Sequence, residues 1–509
     1  MHDQISRHSS SSAECSQPLS ASGLKIAILL FFFLMSVYLL TSTGRARCID
    51  EIDPVMQSES LLLRHSTAIP QAVNSGIFFG KLDRNGIARS AWPAGHALAI
   101  LPWSAFGHYV LSPFSGIPKI NADLAFTAAT CWSSAFYAAL AVAISFLIFL
   151  RITRSPQAAL VCSLLMAFST PLFVYSGWLF PEPLTASIFV AATLFLFGSG
   201  VQPSTSRALA GALLLGFAIH IRAANLVAVL VFVVISVFLP TSEEKRALCF
   251  RTTAILTAVV GLSGILYLFR NYVFFGNPLD LGVPGLGELA AREWTTPYWY
   301  GFSGFLFSPG KSIFLFCPAI ILGILGLPRL WQRNRALALL ITCVPLSALA
   351  LYPTRTQWEG GYCYGPRYFV PSMILLCLPI GTFFSNPPRW FRPAFWTAAI
   401  LGFLVQVIGL AANVMEDMVR NHYYDAEFHY RFFYSPITGQ IALIWKYLHT
   451  RPDQIGLGWD RWFILLRAAG ANPCALAFLI ALFAAMALTF GLLTWKHSSR
   501  AANHAVSNA

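Results

Sequence analysis

Just beyond its first long apolar run the chain reads Cys48-Ile49-Asp50-Glu51-Ile52-Asp53, which puts three carboxylates within four positions. Such a cluster at a membrane surface suits a general base, which must lie within hydrogen-bond reach of the hydroxyl it activates. It also suits oxygen ligation of a divalent cation by Asp50 and Glu51, or simply the solvated first turn of a helix, where acids are favoured. Four further constellations carry chemistry. Glu182, in Phe180-Pro181-Glu182-Pro183-Leu184, stands at the mouth of an apolar segment, as a site carboxylate or an interfacial helix end. Lys311 closes Phe307-Ser308-Pro309-Gly310-Lys311 at a helix start. There a cation and free backbone N–H groups suit a phosphate, and a lysine also snorkels. Trp358-Glu359-Gly360-Gly361-Tyr362-Cys363-Tyr364-Gly365-Pro366-Arg367 joins aromatic faces, a carboxylate and an arginine. Trp358, Tyr362, Tyr364 and Glu359 would suit a sugar and Arg367 a phosphate, or the aromatics form an ordinary membrane belt. Arg270-Asn271-Tyr272 leads into the Gly276-Asn277-Pro278 turn of a long loop.

The elements that position these residues are set by composition. Hydrophobic residues make up 56% of the 509, and charged residues 11%, against roughly 25% in a soluble domain. The apolar runs are long and continuous, which favours membrane-crossing helices over the short alternating strands of a barrel. The fold class is therefore all-α, a polytopic transmembrane bundle. Twelve spans are expected, at 24–42, 122–150, 156–177, 183–199, 208–221, 223–239, 248–269, 312–328, 336–352, 367–385, 393–413 and 474–495. Residues 96–112, which hold His96, Pro102 and His108, read as re-entrant or interfacial. With that choice the tight basic turns Arg151/Arg154, Lys245/Arg246/Arg251, Arg329/Arg333/Arg335, Arg389/Arg392 and Lys496/Arg500 all fall inside. The outer face then carries 43–121, 270–311, 353–366 and 414–473, and the elaborate face is the working face. Met56 and Leu61 to Leu63 suggest that the acidic segment continues as an amphipathic helix along the membrane surface. Residues 1–23 read as a disordered cytoplasmic tail, 24–385 as a catalytic membrane module, 386–495 as C-terminal helices with an aromatic outer loop, and 496–509 as a cytoplasmic tail. That outer loop includes His422, Tyr423, Tyr424, Asp425, His429, Tyr430 and Trp459-Asp460-Arg461-Trp462, as a lid or an interfacial hairpin.

Other classes are excluded on the residues. The net charge of +13 is scattered over short loops, with no basic arm, so nucleic acid is not the partner. The ten cysteines are spread singly, without a zinc pattern; Cys48 and Cys363 fall in outer loops, where they could pair or stay free. No P-loop, dinucleotide turn or H-E-x-x-H motif is present.

The order of these motifs resembles the GT-C superfamily of membrane glycosyltransferases, which includes protein O-mannosyltransferases, aminoarabinose transferases and a bacterial group with RgtA/B/C/D-like domains. The resemblance rests on Ile49-Asp50-Glu51, Trp92-Pro93-Ala94-Gly95-His96, Phe180 to Leu184, Phe307 to Lys311 and Gly365-Pro366-Arg367, a series covering nearly the whole chain. It implies a polyprenyl-phosphate-linked sugar as donor and transfer, usually with inversion, to a glycan, lipid or protein acceptor on the extracytoplasmic side of the inner membrane. It implies Asp50 as general base, Glu51 as its companion, Glu182 as an acid facing the site, and Trp92 and His96 beside the substrate. No cofactor is required, a divalent metal being open. Relatives often carry a lysine near Trp92 for the donor phosphate. Here Ala91 stands at that place, and Arg89, Lys311 or Arg367 is expected to take over. Two other functions fit a chain of this composition: a flippase for a lipid-linked saccharide, and a non-catalytic scaffold. The scarcity of ionisable residues within the spans, such as His220, Arg222 and Asp123, argues against ion coupling.

Overall fold

The computed structural model describes residues 21–198, 203–237, 243–282, 294–420, 426–451, 458–459 and 461–507. Most of the N-terminal tail, residues 422–425 and Asp460 lie outside them. Among the described residues the chain is almost entirely helical, and its one sheet is a hairpin of Gly80–Leu82 and Ala88–Ser90.

Helix occupies all twelve expected places. Seven stretches are long and apolar enough to cross a membrane: Ala21–Thr41, Lys119–Thr153, Cys249–Phe275, Arg335–Thr354, Arg367–Phe384, Phe391–Ala411 and Pro473–Ala501. Four more are shorter apolar helices, at Pro156–Phe168, Glu182–Leu196, Thr205–Ile221 and Asn225–Ser236. This is a multi-pass membrane protein. The segment 312–328 is not one continuous rod. Ile313–Phe316 stops, and Ala319–Arg333 restarts behind Pro318, because proline cannot donate the backbone bond that would carry a helix through.

Burial separates inner from outer helices. In Arg367–Phe384, 94% of the most apolar window is buried inside the protein, against 22% in Cys249–Phe275 and 17% in Pro473–Ala501. The first helix opens the packing: it lies along Ala122–Thr153 and along the C-terminal helix Pro473–Ser507. Alanines spaced along Ala122–Thr153 let its neighbours approach closely. The C-terminal loop returns to the end of the first crossing, where Trp462 Nε1 donates to the Leu39 carbonyl at 2.9 Å.

The acidic helix is Ile49–Arg64. It differs from a surface helix in which face is turned inward. Its buried side holds Glu51, Asp53, Gln57, Ser58 and Ser60, while Leu63 is exposed. The polar stripe packs on helix Gly95–Phe106, where Ser58 Oγ donates to Ser104 Oγ at 2.7 Å. Carboxylates and hydroxyls with partners inside the protein fill that side, while Leu62 packs at its margin beside Val55 and Leu63 faces outward. Gly95 sets the approach of this layer to the next: a Cβ there would lie 2.3 Å from the His220 carbonyl oxygen.

Gly95→Ala therefore forces backbone apart beside Arg222 and should cost about 1–3 kcal/mol of stability. Gly261→Ala, with nothing within 4 Å of the added methyl, should cost none. Thermal unfolding of the two variants in detergent checks the contrast, and equal melting temperatures would remove the close approach from the account.

Candidate functional site

Three segments distant in sequence meet at the start of the acidic helix. The first turn of that helix brings Asp50. The start of helix Glu182–Leu196 brings Glu182. The loop before Arg367–Phe384 brings Arg367. Glycines shape that loop: Gly360, Gly361 and Gly365 have φ of 85°, 68° and 67°, a left-handed conformation that other residues adopt only with strain. It turns Arg367 inward, with its guanidinium over the ring of Phe180, centroid 4.6 Å away.

Arg367 Nη1 lies 2.5 Å from Asp50 Oδ2, and its Nε lies 3.5 Å from Glu182 Oε1. Arg222, in the turn between two short helices, reaches the same Glu182 oxygen at 3.0 Å. Asp50, Arg367, Glu182 and Arg222 are thus one chain of alternating charge. Arg355 joins through Tyr368: its Nη1 donates to the phenolic oxygen at 2.7 Å, and Arg222 and Arg367 stand 4.8 and 5.1 Å from the Tyr368 ring centroid. Three guanidiniums thus gather around Asp50, Glu182 and the Tyr368 ring. Side-chain exposure orders the acids: 22% for Asp50, 3% for Glu182 and 0% for Glu51. Asp50 is therefore the carboxylate of this set that a substrate can reach.

The electrostatics follow from the partners. Burial pushes the Asp50 carboxyl up, but Arg367 beside it, with Arg222 and Arg355 beyond, outweighs that and holds it below the ordinary range. Asp53, one turn on, is buried and hydrogen-bonded to Ser90 Oγ. Burial raises it to about 7, with the Ser90 bond opposing and the Asp50 charge adding. Ser90 Oγ also accepts from the Trp92 backbone N–H at 2.9 Å. The acidic helix is in this way tied to the hairpin and to Trp92, whose ring packs against Phe79 at 5.0 Å.

The other expected residues are placed as follows. Glu51 is closed by Arg47, whose backbone N–H donates to Oε2 at 2.7 Å and whose Nη2 donates to Oε1 at 2.6 Å. With both of its oxygens committed, Glu51 does not fit a two-carboxylate cation site with Asp50, and no step is routed through a metal. Arg89 is held by Asp83 at 2.9 Å and lies over Phe274. His96 is buried within the Gly95–Phe106 helix. Lys311 is fully buried and donates to the Cys363 carbonyl at 3.0 Å, so its cation lies behind the loop that carries Arg367. Glu359 is buried with Oε2 unpartnered; burial raises its carboxyl, with Lys311 and Arg355 opposing. Trp358 and Tyr364 are wholly buried, the first against Phe305 and the second donating to the Val405 carbonyl at 2.6 Å. Tyr362 is half-buried at the edge of the core. Cys48 and Cys363 are free thiols. Sequence reasoning missed Arg222 and Arg355 as members of this group. Arg222 carried a signal, a lone arginine between two short apolar helices; Arg355 carried none.

No family model matches the chain, and no curated protein matches it. Among solved structures, ArnT from Cupriavidus metallidurans bound to undecaprenyl phosphate is similar with a TM-score of 0.41 and 15% identity, over 94% of this chain and 76% of that one. The apo state of the same ArnT gives a TM-score of 0.44 and 14% identity, over 94% and 76% of the two chains.

Asp53 sets a pH test. Its folded pKa, about 7, lies above the ordinary aspartate value of 3.8, so the stability its proton supplies is present below pH 4 and is lost as pH rises through 7. Asp53→Asn cannot titrate. Its melting temperature relative to the parent should rise between pH 5 and pH 8, as scanned in detergent. A pH-independent difference would contradict the buried, proton-holding Asp53.

Proposed function

We propose that this chain is a GT-C-type glycosyltransferase of the inner membrane, moving a sugar from a polyprenyl-phosphate donor to a hydroxyl of a glycan, lipid or protein acceptor on the extracytoplasmic side. The observation that carries the reading is the reachable Asp50 carboxylate in direct contact with the buried Arg367, which shares Glu182 with Arg222.

The chemistry needs one base and one anion cradle. Asp50 takes the proton of the acceptor hydroxyl, whose oxygen attacks the anomeric carbon. The bond from that carbon to the phosphate oxygen breaks, and the electron pair leaves with the polyprenyl phosphate. Attack opposite the leaving group inverts the anomeric centre, and no covalent sugar–enzyme bond is needed. Arg367, Arg222 and Arg355 hold the charge that grows on the departing phosphate, where fixed donors act more strongly than in water. Arg222 and Arg355 together supply the positive charge that relatives take from a lysine near Trp92.

The substrate-free arrangement adds a step. Arg367 holds Asp50 as a weak base. A phosphate that competes for the guanidinium loosens that contact and raises the basicity of Asp50 when the donor is in place. A small cavity, lined by Asn225, Ser347, Ser372 and the Tyr352 and Tyr368 rings among apolar side chains, adjoins the Tyr368 ring that the arginines share.

Purified protein in nanodiscs, assayed with a panel of polyprenyl-phosphate sugars, tests the reading. Asp50→Asn should lose about 10²–10⁴-fold in turnover at unchanged abundance, and full activity in that variant would remove Asp50 as the base. Arg222→Gln should also lower turnover, by about 10²–10³-fold if it stabilises the leaving phosphate. An unchanged rate would confine Arg222 to pairing with Glu182.

A further inference from the structure

The helix Pro436–His449 has two apolar sides and one of them is spoken for. Leu443 and Tyr447 are buried against Ala412 and Trp459, at the end of the crossing Phe391–Ala411. On the opposite side Ile441, Trp445 and Leu448 form one stripe at helical spacing, with exposures of 48%, 67% and 67%. Phe432 and Phe433 continue it just before the helix, at 63% and 86%. These side chains do not belong to a crossing. At about 1.5 Å per residue a helix of this length is roughly 21 Å long, short of the hydrocarbon thickness of about 30 Å.

The surroundings of the stripe say what covers it. Arg431, Lys446, His449 and Arg451 are exposed along its edges. The acids beside them are Glu416, paired with Lys446 at 3.2 Å, and Asp417, buried against Gly439 on the inward side, so among the described residues the outward rim keeps Arg431 and Arg451 and is net basic. Three aromatics and two aliphatics could not bury the roughly 800 Å² per partner of a stable protein interface. Apolar residues with a tryptophan, flanked by cations and fixed at the end of a membrane crossing, match the boundary between anionic headgroups and acyl chains.

We propose that the outward face of Pro436–His449, with Phe432 and Phe433, is seated in the anionic headgroup boundary of the leaflet at the candidate-site end of the bundle. The seat reaches the site through backbone. Ser435 Oγ donates to the Pro309 carbonyl at 2.7 Å, and the Gly310 N–H donates to the His429 carbonyl at 3.0 Å. The depth of the helix therefore fixes the turn that ends in Lys311. This inference does not depend on the glycosyltransferase reading.

The test is the fluorescence of Trp445, obtained as the difference between the parent chain and Trp445→Phe, in nanodiscs of phosphatidylcholine and phosphatidylglycerol. Lipids brominated near the top of the acyl chain should remove most of that difference signal, and iodide in the buffer should leave it. Arg431→Gln with Arg451→Gln should reduce the bromine effect in phosphatidylglycerol-containing discs and not in phosphatidylcholine alone. Quenching by iodide with no effect of bromine would overturn the proposal. Shielding from both quenchers would also overturn it, and would point to a second copy or another protein as the occupant.

Discussion

A guanidinium with 4% of its side chain exposed, set among apolar helices, needs compensating charge. Taking such an ion out of water costs several kcal/mol, and a charge left without a counterion is worse than an apolar substitute. Arg367 meets the requirement with two carboxylates from elsewhere in the chain, Asp50 after the first crossing and Glu182 at the start of a later one. Glu182 in turn holds Arg222. The pairs fix which ends of the helices come together. The acidic helix turns its polar face inward because that is where its partners are.

The packing around this chain of charge is arranged to keep it specific. Gly95 brings the helix behind the acidic helix into van der Waals contact with the backbone before Arg222, and the three left-handed glycines give the Arg367 loop its turn. Arg47 closes Glu51 and stacks over Trp178 at 3.7 Å, which withdraws one acid from solvent and leaves Asp50 as the open one. Among three neighbouring carboxylates the protein thus produces three states: Glu51 locked in a salt bridge, Asp53 buried with a raised pKa, and Asp50 accessible and held down by arginine. Such separation of like groups by environment is how a protein assigns acid and base roles to identical side chains.

Much of this was legible in the sequence. Hydrophobic run lengths placed helix at every expected span, and seven of these are long and apolar enough to cross, because the thickness of the bilayer sets the length of run required. Asp50, Glu182 and Arg367 stood out as ionisable residues at apolar boundaries, where burial without function is costly. Which acid pairs with which base was not legible, since pairing across 40 residues (Glu182 with Arg222) to 317 (Asp50 with Arg367) leaves no local pattern. Arg222 read only as one of the few ionisable residues of the short helical pair, and Arg355 stood unmarked in the 353–366 loop. Lys311 and the Trp358 to Tyr364 aromatics had the composition of a ligand surface and are packed instead into protein, because a run of aromatics reads the same whether it faces a cavity or a neighbouring helix. The break at Pro318 was also hidden by uniformly apolar flanks.

In the proposed reaction Arg367 restrains Asp50 until a donor phosphate shares that guanidinium, and Asp50 then takes the acceptor proton. The pH dependence of transfer tests it most directly, because kcat/KM for the donor reports the free enzyme and kcat the complex. The account predicts an acidic limb lying at higher pH in kcat than in kcat/KM, and absent from both in Asp50→Asn. A limb at the same pH in both, or one that persists in Asp50→Asn, would contradict it.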